Sequence, residues 1–456
     1  MTTLQRFRTS LATLLGPRGG AKQGALWTLL MRVVSTGLGF ATSVLLARLL
    51  GVSGYGVYAF VFAWVNLLAI PTALGMDKLM VREVAVFRAR GAWGALHGFV
   101  RWGNLAVLAA SLGVAALAAG VGWVVLAPRD GLRLAFVLAL ASLPLTTLTS
   151  LRQAAMRGFN HIVSGQWPEL LLRPVLIIAF SLLAWFALPR FGLPFNAVWA
   201  TLAAFAATAV AFGVGALLLV RVLRDETESA PPSAEPGRWL RRALPFMVIS
   251  GMYVLNARTD VVMLGMLADT DAVGLYTPAT RGAELISFVL LAVNTALSPT
   301  LARLFAEGKR AQLEAATARS TRLITLATLP LALGMVLLGG VFLRLFGPEF
   351  VAARTALVIL SAGQLINAAT GTVGTLLNMT GFERDTALAV GLSATLNILL
   401  NALLIPPFGI NGAAAATALS TLTWNALLAT FVYRRLGFYA LLGVLTLRRA
   451  RHASER

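Results

Sequence analysis

Long, uninterrupted runs of apolar residues restrict the fold of this sequence more than any other feature. The runs extend over roughly 20 to 28 residues, enough for a helix rising 1.5 Å per residue to cross about 30 Å of hydrocarbon. Their apolar character continues around the whole helix, whereas barrel strands alternate between apolar and polar residues. The sequence therefore predicts an all-α membrane protein with about twelve transmembrane helices.

The composition excludes an ordinary soluble domain. Of 456 residues, 58% are hydrophobic and 12% charged, against about 25% charged in soluble proteins. A soluble core of this size could not bury so much apolar surface. The predicted spans are 24–47, 55–75, 99–127, 132–151, 166–188, 196–221, 243–266, 274–298, 320–343, 355–378, 386–405 and 411–433.

The distribution of Lys and Arg predicts the orientation. The termini and the connections on their side of the membrane hold 26 of the 38 basic residues, and the opposite connections hold 6. Basic connections stay in the cytoplasm, so both termini are expected there, in a protein of the inner (plasma) membrane. The net charge of +20 is mostly this asymmetry, which anionic membrane lipids favour further. The basic residues are scattered over many short loops, which argues against nucleic acid as a partner.

A polar, proline-rich stretch divides the chain. Residues 222–242 contain Pro231, Pro232 and Pro236 and are typical of a solvated linker. Six predicted spans lie on each side, so a repeat of the two halves would be parallel. The expected divisions are a cytoplasmic segment 1–23, a first lobe 24–221, the cytoplasmic linker 222–242, a second lobe 243–435 and an interfacial tail 436–456.

The sequence lacks the residues that several kinds of binding site and active site require. The chain has no cysteine and three histidines, all in predicted cytoplasmic segments, so we expect no metal site and no cofactor. Gly308-Lys309 is followed by Arg310, not Ser or Thr, so the phosphate-binding loop of ATPases is missing. An enzyme that polymerises or ligates sugars is a further alternative, but the outer connections are short and show no acid, base and nucleophile together.

Short motifs in both halves resemble a known family. Ala47–Gly51 followed by Gly54–Tyr58 is similar to the opening hairpin of the polysaccharide flippases, which belong to the multidrug/oligosaccharidyl-lipid/polysaccharide exporter superfamily. Arg258-Thr259-Asp260 with Gly274-Leu275-Tyr276 and Arg281 resembles the matching hairpin of the second half. Residues 407–414 resemble the turn before the last span.

The resemblance implies a fold and a function. It implies two six-helix lobes around a central cavity that opens to each side in turn. The implied substrate is an undecaprenyl-pyrophosphate-linked oligosaccharide, which moves from the inner to the outer leaflet during synthesis of cell-surface polysaccharide such as lipopolysaccharide. Glycosyltransferases and a polysaccharide polymerase are expected partners. The lipid II branch has two further spans, which makes that role less suited to this chain.

Seven charged residues lie well inside predicted spans, where each costs about 2.5–3.5 kcal/mol at a helix centre. Such residues are expected to face the bundle interior and to be functional. They are Arg32, Glu169, Arg173, Arg258, Asp260, Arg281 and Glu284.

Spacing predicts partners for six of the seven. Glu169 and Arg173 are four residues apart and share a helix face. Distance from the turn near residue 270 places Asp260 at the depth of Arg281, and it places Arg258 near the depth of Glu284. These acids are therefore candidates for ion pairs or for ion coupling.

The four arginines are the candidate ligands of a substrate pyrophosphate, because the planar guanidinium donates two hydrogen bonds at once and stays charged. Arg32 is left without a predicted partner. The alternative function is an ion-coupled multidrug or cation antiporter of the same superfamily. That function would need an unpaired carboxylate in the cavity.

Overall fold

The computed structural model describes residues 21–126, 131–233 and 235–438, and no β-strand occurs in these ranges. The helices are α1 (Ala21–Ala73), α2 (Met76–Ala89), α3 (Trp93–Val125), α4 (Leu132–Ala141), α5 (Leu143–Gly158), α6 (Ile162–Trp167), α7 (Arg173–Ala187), α8 (Ala197–Glu226), α9 (Pro236–Leu267), α10 (Thr270–Ala306), α11 (Arg310–Arg344), α12 (Arg354–Thr370), α13 (Val373–Met379) and α14 (Glu383–Leu436). A π-helical turn, Pro168–Leu172, joins α6 to α7. Short 3-10 turns cover Leu188–Phe191 and Pro348–Ala353.

Ten helical stretches of the described residues are long and apolar enough to cross a membrane. Large apolar side chains on them are exposed, among them Leu117 at 70%, Val124 at 80% and Leu337 at 71%. Such exposure is expected where lipid, not water, surrounds a helix. The prediction of an all-α protein with many membrane-spanning helices is confirmed.

The two longest helices are interrupted at glycines. α1 has non-helical backbone at Gly51, with φ 67° and ψ −174°, and α14 has it at Gly409, with φ 53° and ψ −128°. A positive φ is accessible to glycine because it has no Cβ. Both breaks fall in segments predicted to be short connections, 48–54 and 406–410.

The described chain clusters into two compact units that divide between residues 251 and 252, with residues 51–60 grouped in the second unit. In the first unit, α2 packs against α3 and α5. The core between them includes Met76, Leu79, Met80, Phe99 and Leu151. Although α2 lies between two predicted spans, its apolar face is therefore covered by protein.

The connection between α8 and α9 is shorter than the predicted linker, because helix continues to Glu226 and resumes at Pro236. It is also held in place within the first unit. The Ser233 N–H donates to the Gly94 carbonyl at 2.9 Å. A Cβ at Gly98 would lie 1.8 Å from the Ser233 carbonyl oxygen. Glycine in the first turns of α3 thus allows the connecting backbone to lie directly on that helix.

In the second unit, residues 51–60 pack against the start of α10. A Cβ at Gly56 would lie 1.8 Å from the Thr270 carbonyl oxygen, and one at Gly274 would lie 2.1 Å from that of Val52. The hairpin motif at residues 54–58 and the matching motif Gly274-Leu275-Tyr276 therefore touch each other directly. The rest of this unit packs α10 to α14 together, with Leu301, Leu376 and Val432 in its core.

Two predicted segments lie largely outside the described residues. The cytoplasmic segment 1–23 is described only from residue 21, and the interfacial tail 436–456 only to residue 438.

Candidate functional site

Arg32 lies in α1 with an exposed side chain. Near the end of α5, Arg157 is half-buried and close enough to Arg32 and Asp77 to interact electrostatically with both. Within the described residues, no carboxylate makes an ion pair with Arg32. Two arginines and one aspartate leave this region of the first unit positively charged, which suits an anionic ligand.

Glu169 and Arg173 form the ion pair that their spacing favours, with 2.5 Å between Glu169 Oε1 and Arg173 Nη1. Glu169 lies within the π-helical turn Pro168–Leu172, and Arg173 follows it directly. Pro174 has no N–H to donate to the preceding turn, so a regular α-helical hydrogen bond is already missing here. π-helical turns of this kind often mark functional positions.

Arg152, which sequence analysis assigned to a connection, is a buried charge of the first unit. Its residue is 2% exposed, and its Nη1 donates to the Gly165 carbonyl at 3.3 Å. Glu169 is close enough to interact with it electrostatically. The apolar spacing of Leu148, Leu151 and Ala155 continues past the predicted span end at 151 and could have revealed the longer helix.

Gly215 of α8 makes room for this guanidinium. A Cβ at that position would lie 2.1 Å from Arg152 Cζ. Gly215 ends a stripe of small residues at a spacing of four, and all four members are buried. The stripe consists of Ala203, Ala207, Ala211 and Gly215.

The two ion pairs predicted between α9 and α10 are wrong. Arg281 pairs with Glu284 on its own helix, at 2.7 Å between Nη1 and Oε2. Residues three apart on a helix share a face, so this pair needs no contribution from α9. The Asp260 carboxylate instead accepts a hydrogen bond from the Tyr276 hydroxyl. Equal depth did not suffice for the predicted Asp260–Arg281 and Arg258–Glu284 pairs, because helix packing decides which way each side chain points.

Asp260 is held by neutral donors in the second unit. It is 6% exposed. Its Oδ2 accepts from the Tyr276 hydroxyl at 2.8 Å and from the Thr417 hydroxyl at 3.4 Å, and its Oδ1 accepts from the Val261 N–H at 2.8 Å. Arg258 acts on it electrostatically, but neither Arg258 nor another described cation makes an ion pair with it. A buried carboxylate of this kind can take up a proton or a cation.

The first unit also contains a group of contacts between charged side chains that the sequence did not predict. Glu83, 5% exposed, pairs with Arg242 at 3.3 Å. Glu226 pairs with Arg88 at 2.7 Å, and its Oε1 lies at hydrogen-bond distance, 2.5 Å, from His161 Nε2. All five residues lie in segments that sequence analysis assigned to cytoplasmic connections. Their shared location was therefore the signal that these charges could meet.

The described residues contain no group of three or more His, Asp or Glu side chains that could hold a metal ion. The candidate site residues described above are arginines and carboxylates carried by helices.

The model of a family described as "Polysaccharide biosynthesis protein" matches residues 21–305, more than half of the chain. The chain belongs to the polysaccharide biosynthesis protein family. A second family model, MatE, matches residues 245–403.

One relative of this chain is the "Probable flippase AglR" of Haloferax volcanii, which is 32% identical to it over 173 residues. The matched region covers 37% of this chain and 36% of AglR. The chain therefore matches about a third of its relative's length.

Solved structures share the fold. An inward-facing multidrug resistance MATE family transporter of the MOP superfamily has a TM-score of 0.74 at 13% identity, over 90% of this chain and 98% of the other. The lipid II flippase MurJ, in an inward closed conformation, has a TM-score of 0.68 at 14% identity, over 89% of this chain and 87% of the other. These likenesses show a fold common to transporters that carry different substrates.

Proposed function

We propose that this chain is a flippase that moves an undecaprenyl-pyrophosphate-linked oligosaccharide from the inner to the outer leaflet by alternating access. The observation that carries the proposal is the Arg32–Arg157 region, which has an excess of positive charge in a member of the polysaccharide biosynthesis protein family. The name of AglR supports the same activity. On this proposal the chain is a transporter and not an enzyme.

The substrate's pyrophosphate explains why arginine is retained inside the helices. An arginine fork binds phosphate oxygens in pairs and keeps its charge at any physiological pH. The proposed ligands are Arg32, Arg173, Arg258 and Arg281. Because Arg173 and Arg281 already hold a glutamate, we propose Arg32 as the first group to meet the substrate.

We propose twelve spans, because α1 and α14 are each long enough for two and each is interrupted at a glycine. The excess of Lys and Arg on one side supports cytoplasmic termini and a cytoplasmic α8–α9 connection in the inner membrane. The lobes 24–221 and 243–435 would be the two moving parts.

Glycosyltransferases that build the oligosaccharide and the polymerase that extends it are the proposed partners.

The driving force is proposed to act at Asp260. A carboxylate buried among neutral donors is costly when ionised, so binding of a proton or a monovalent cation would stabilise it. Substitution by Asn keeps the size of the side chain and removes the charge. Asp260→Asn should therefore uncouple transport from an imposed ion gradient while the protein stays folded.

One observation favours the second candidate, a cation antiporter. Asp260 has no ion-pair partner among the described residues, and the MatE model matches this half of the chain. An antiporter could use that carboxylate to bind an organic cation.

A gene deletion separates the two functions. Loss of a flippase should cause lipid-linked oligosaccharide to accumulate in the inner leaflet and surface polysaccharide to disappear, with unchanged tolerance of cationic dyes. Loss of an antiporter should cause dye sensitivity with normal polysaccharide. That second result would overturn the flippase proposal.

A further inference from the structure

The cluster of Arg152, Glu169 and Arg173 holds two cations and one anion in the first unit. Glu169 Oε1 is 2.5 Å from Arg173 Nη1. Its second oxygen, Oε2, is buried and has no hydrogen-bond partner among the described residues. Glu169 thus pairs with Arg173 through one oxygen, while Arg152 is close enough to feel its charge but makes no ion pair with it.

Arg152 is placed to be the second partner of this carboxylate. Its Nη1 donates to the carbonyl of Gly165 at 3.3 Å, one helical turn before Glu169. Its Nε and Nη2 are buried and have no hydrogen-bond partner among the described residues. An unpaired buried guanidinium is costly, so Arg152 would gain much from the carboxylate.

The backbone around Glu169 would allow the side chain of Glu169 to change its ion-pair partner. Glu169 belongs to the π-helical turn Pro168–Leu172, where the Arg173 N–H bonds the Pro168 carbonyl. A turn of this kind already departs from regular helix and can adjust locally. The side chain of Arg173 is 26% exposed, so a ligand can reach it, whereas Arg152 is buried.

We propose that Glu169 transfers from Arg173 to Arg152 when a phosphate group of the substrate binds Arg173. This inference rests on the proposed function, since it assigns Arg152 as a positioning residue for that substrate. Without Arg152, Glu169 would stay on Arg173 and compete with the phosphate. With Arg152, the phosphate replaces the carboxylate and no buried charge is left unpaired.

The test measures binding of farnesyl pyrophosphate to the purified full-length protein, with farnesol as the phosphate-free control. Arg152→Gln should weaken binding about tenfold, the equivalent of one charge-assisted hydrogen bond. Removing Glu169 as well, in Arg152→Gln/Glu169→Gln, should restore binding to near wild type, because Arg173 then has no competitor. A merely structural role for Arg152 would leave the double variant as weak as the single one.

Three further variants keep the test decisive. Gly215→Ala pushes a Cβ against the Arg152 guanidinium and should weaken binding without removing a charge. If Arg152→Gln fails to fold, Arg152→Lys is used, and Glu169→Gln should rescue its weakened binding in the same way. Arg242→Gln is the matched control, because it breaks another arginine–glutamate pair of the same unit and should leave binding unchanged.

The outcomes distinguish this inference from the proposed function. If Arg173→Gln weakens binding but Arg152→Gln does not, the transfer of Glu169 is refuted and the substrate site stands. If the double variant is not rescued, the transfer is also refuted. If the wild type binds farnesyl pyrophosphate no better than farnesol, both the proposed function and this inference fail.

Discussion

The close contact between Gly56 and α10 allows us to predict how much a substitution at Gly56 would reduce the free energy of unfolding. In Gly56→Ala, the new Cβ would lie 1.8 Å from the carbonyl oxygen and 2.8 Å from the carbonyl carbon of Thr270. Both atoms belong to the backbone, so no side-chain rotation can relieve the clash. The two segments would have to separate by roughly 1.2 Å to restore the 3.0 Å that a Cβ contact requires.

Overpacking of this kind costs about 1–3 kcal/mol, and we expect the upper end because backbone must move. Alanine's better helix propensity offsets about 1 kcal/mol of that cost. The net expectation for Gly56→Ala is a loss of about 2 kcal/mol in the free energy of unfolding. Gly274→Ala should behave similarly, since its Cβ would lie 2.1 Å from the Val52 carbonyl oxygen.

The assay is reversible unfolding in mixed micelles, followed by circular dichroism. Gly37→Ala is the matched control, because Gly37 lies in the same helix and a Cβ there would meet nothing within 4 Å. That control should unfold like the wild type or be more stable by up to about 1 kcal/mol. If Gly56→Ala is as stable as Gly37→Ala, the close approach of residues 51–60 to α10 is refuted.

The ion pairs and the proposed topology can be tested by substitution as well. Asp260→Asn and Arg281→Gln should have additive effects on the free energy of unfolding, within about 0.5 kcal/mol, because the two residues do not pair. A coupling free energy above about 1 kcal/mol in the double-mutant cycle would show that they do pair. Arg242→Gln should destabilise the protein by about 1–3 kcal/mol, because it leaves Glu83 buried and unpaired, and Glu83→Gln should recover part of that loss; equal stability of Arg242→Gln and wild type would contradict this. In a Ser233→Cys variant the new thiol should resist an impermeant maleimide added outside intact cells, and should react once the cells are opened; labelling from outside would reverse the proposed orientation.

The order and type of the helices could be predicted from the sequence, because apolar length and helical period depend only on local residues. The breaks at Gly51 and Gly409 were also foreseeable, since both fall in short connections between apolar runs. The rotation of each helix about its axis could not be predicted from the sequence, because it is set by packing with neighbours distant in the chain. For this reason Asp260 and Arg281 matched in depth but did not meet.

The candidate site shows the same limit. The Glu169–Arg173 pair depends on spacing within one helix and could be predicted. Arg152 could not be placed, because its burial depends on Gly215 in α8, which leaves room for the guanidinium. The proximity of Arg157 to Arg32 likewise joins two helices far apart in the sequence.

The central proposal is tested most directly by transport in proteoliposomes that contain a pyrophosphate-linked oligosaccharide lipid. Wild-type protein should move this lipid between leaflets, and Arg32→Ala at equal protein level should lose most of that activity. Arg32→Lys should be intermediate, because lysine keeps the charge but lacks the fork that binds two phosphate oxygens. If the wild type moves no more lipid than protein-free vesicles, the flippase proposal is contradicted; if Arg32→Ala transports like wild type, Arg32 is not the phosphate ligand.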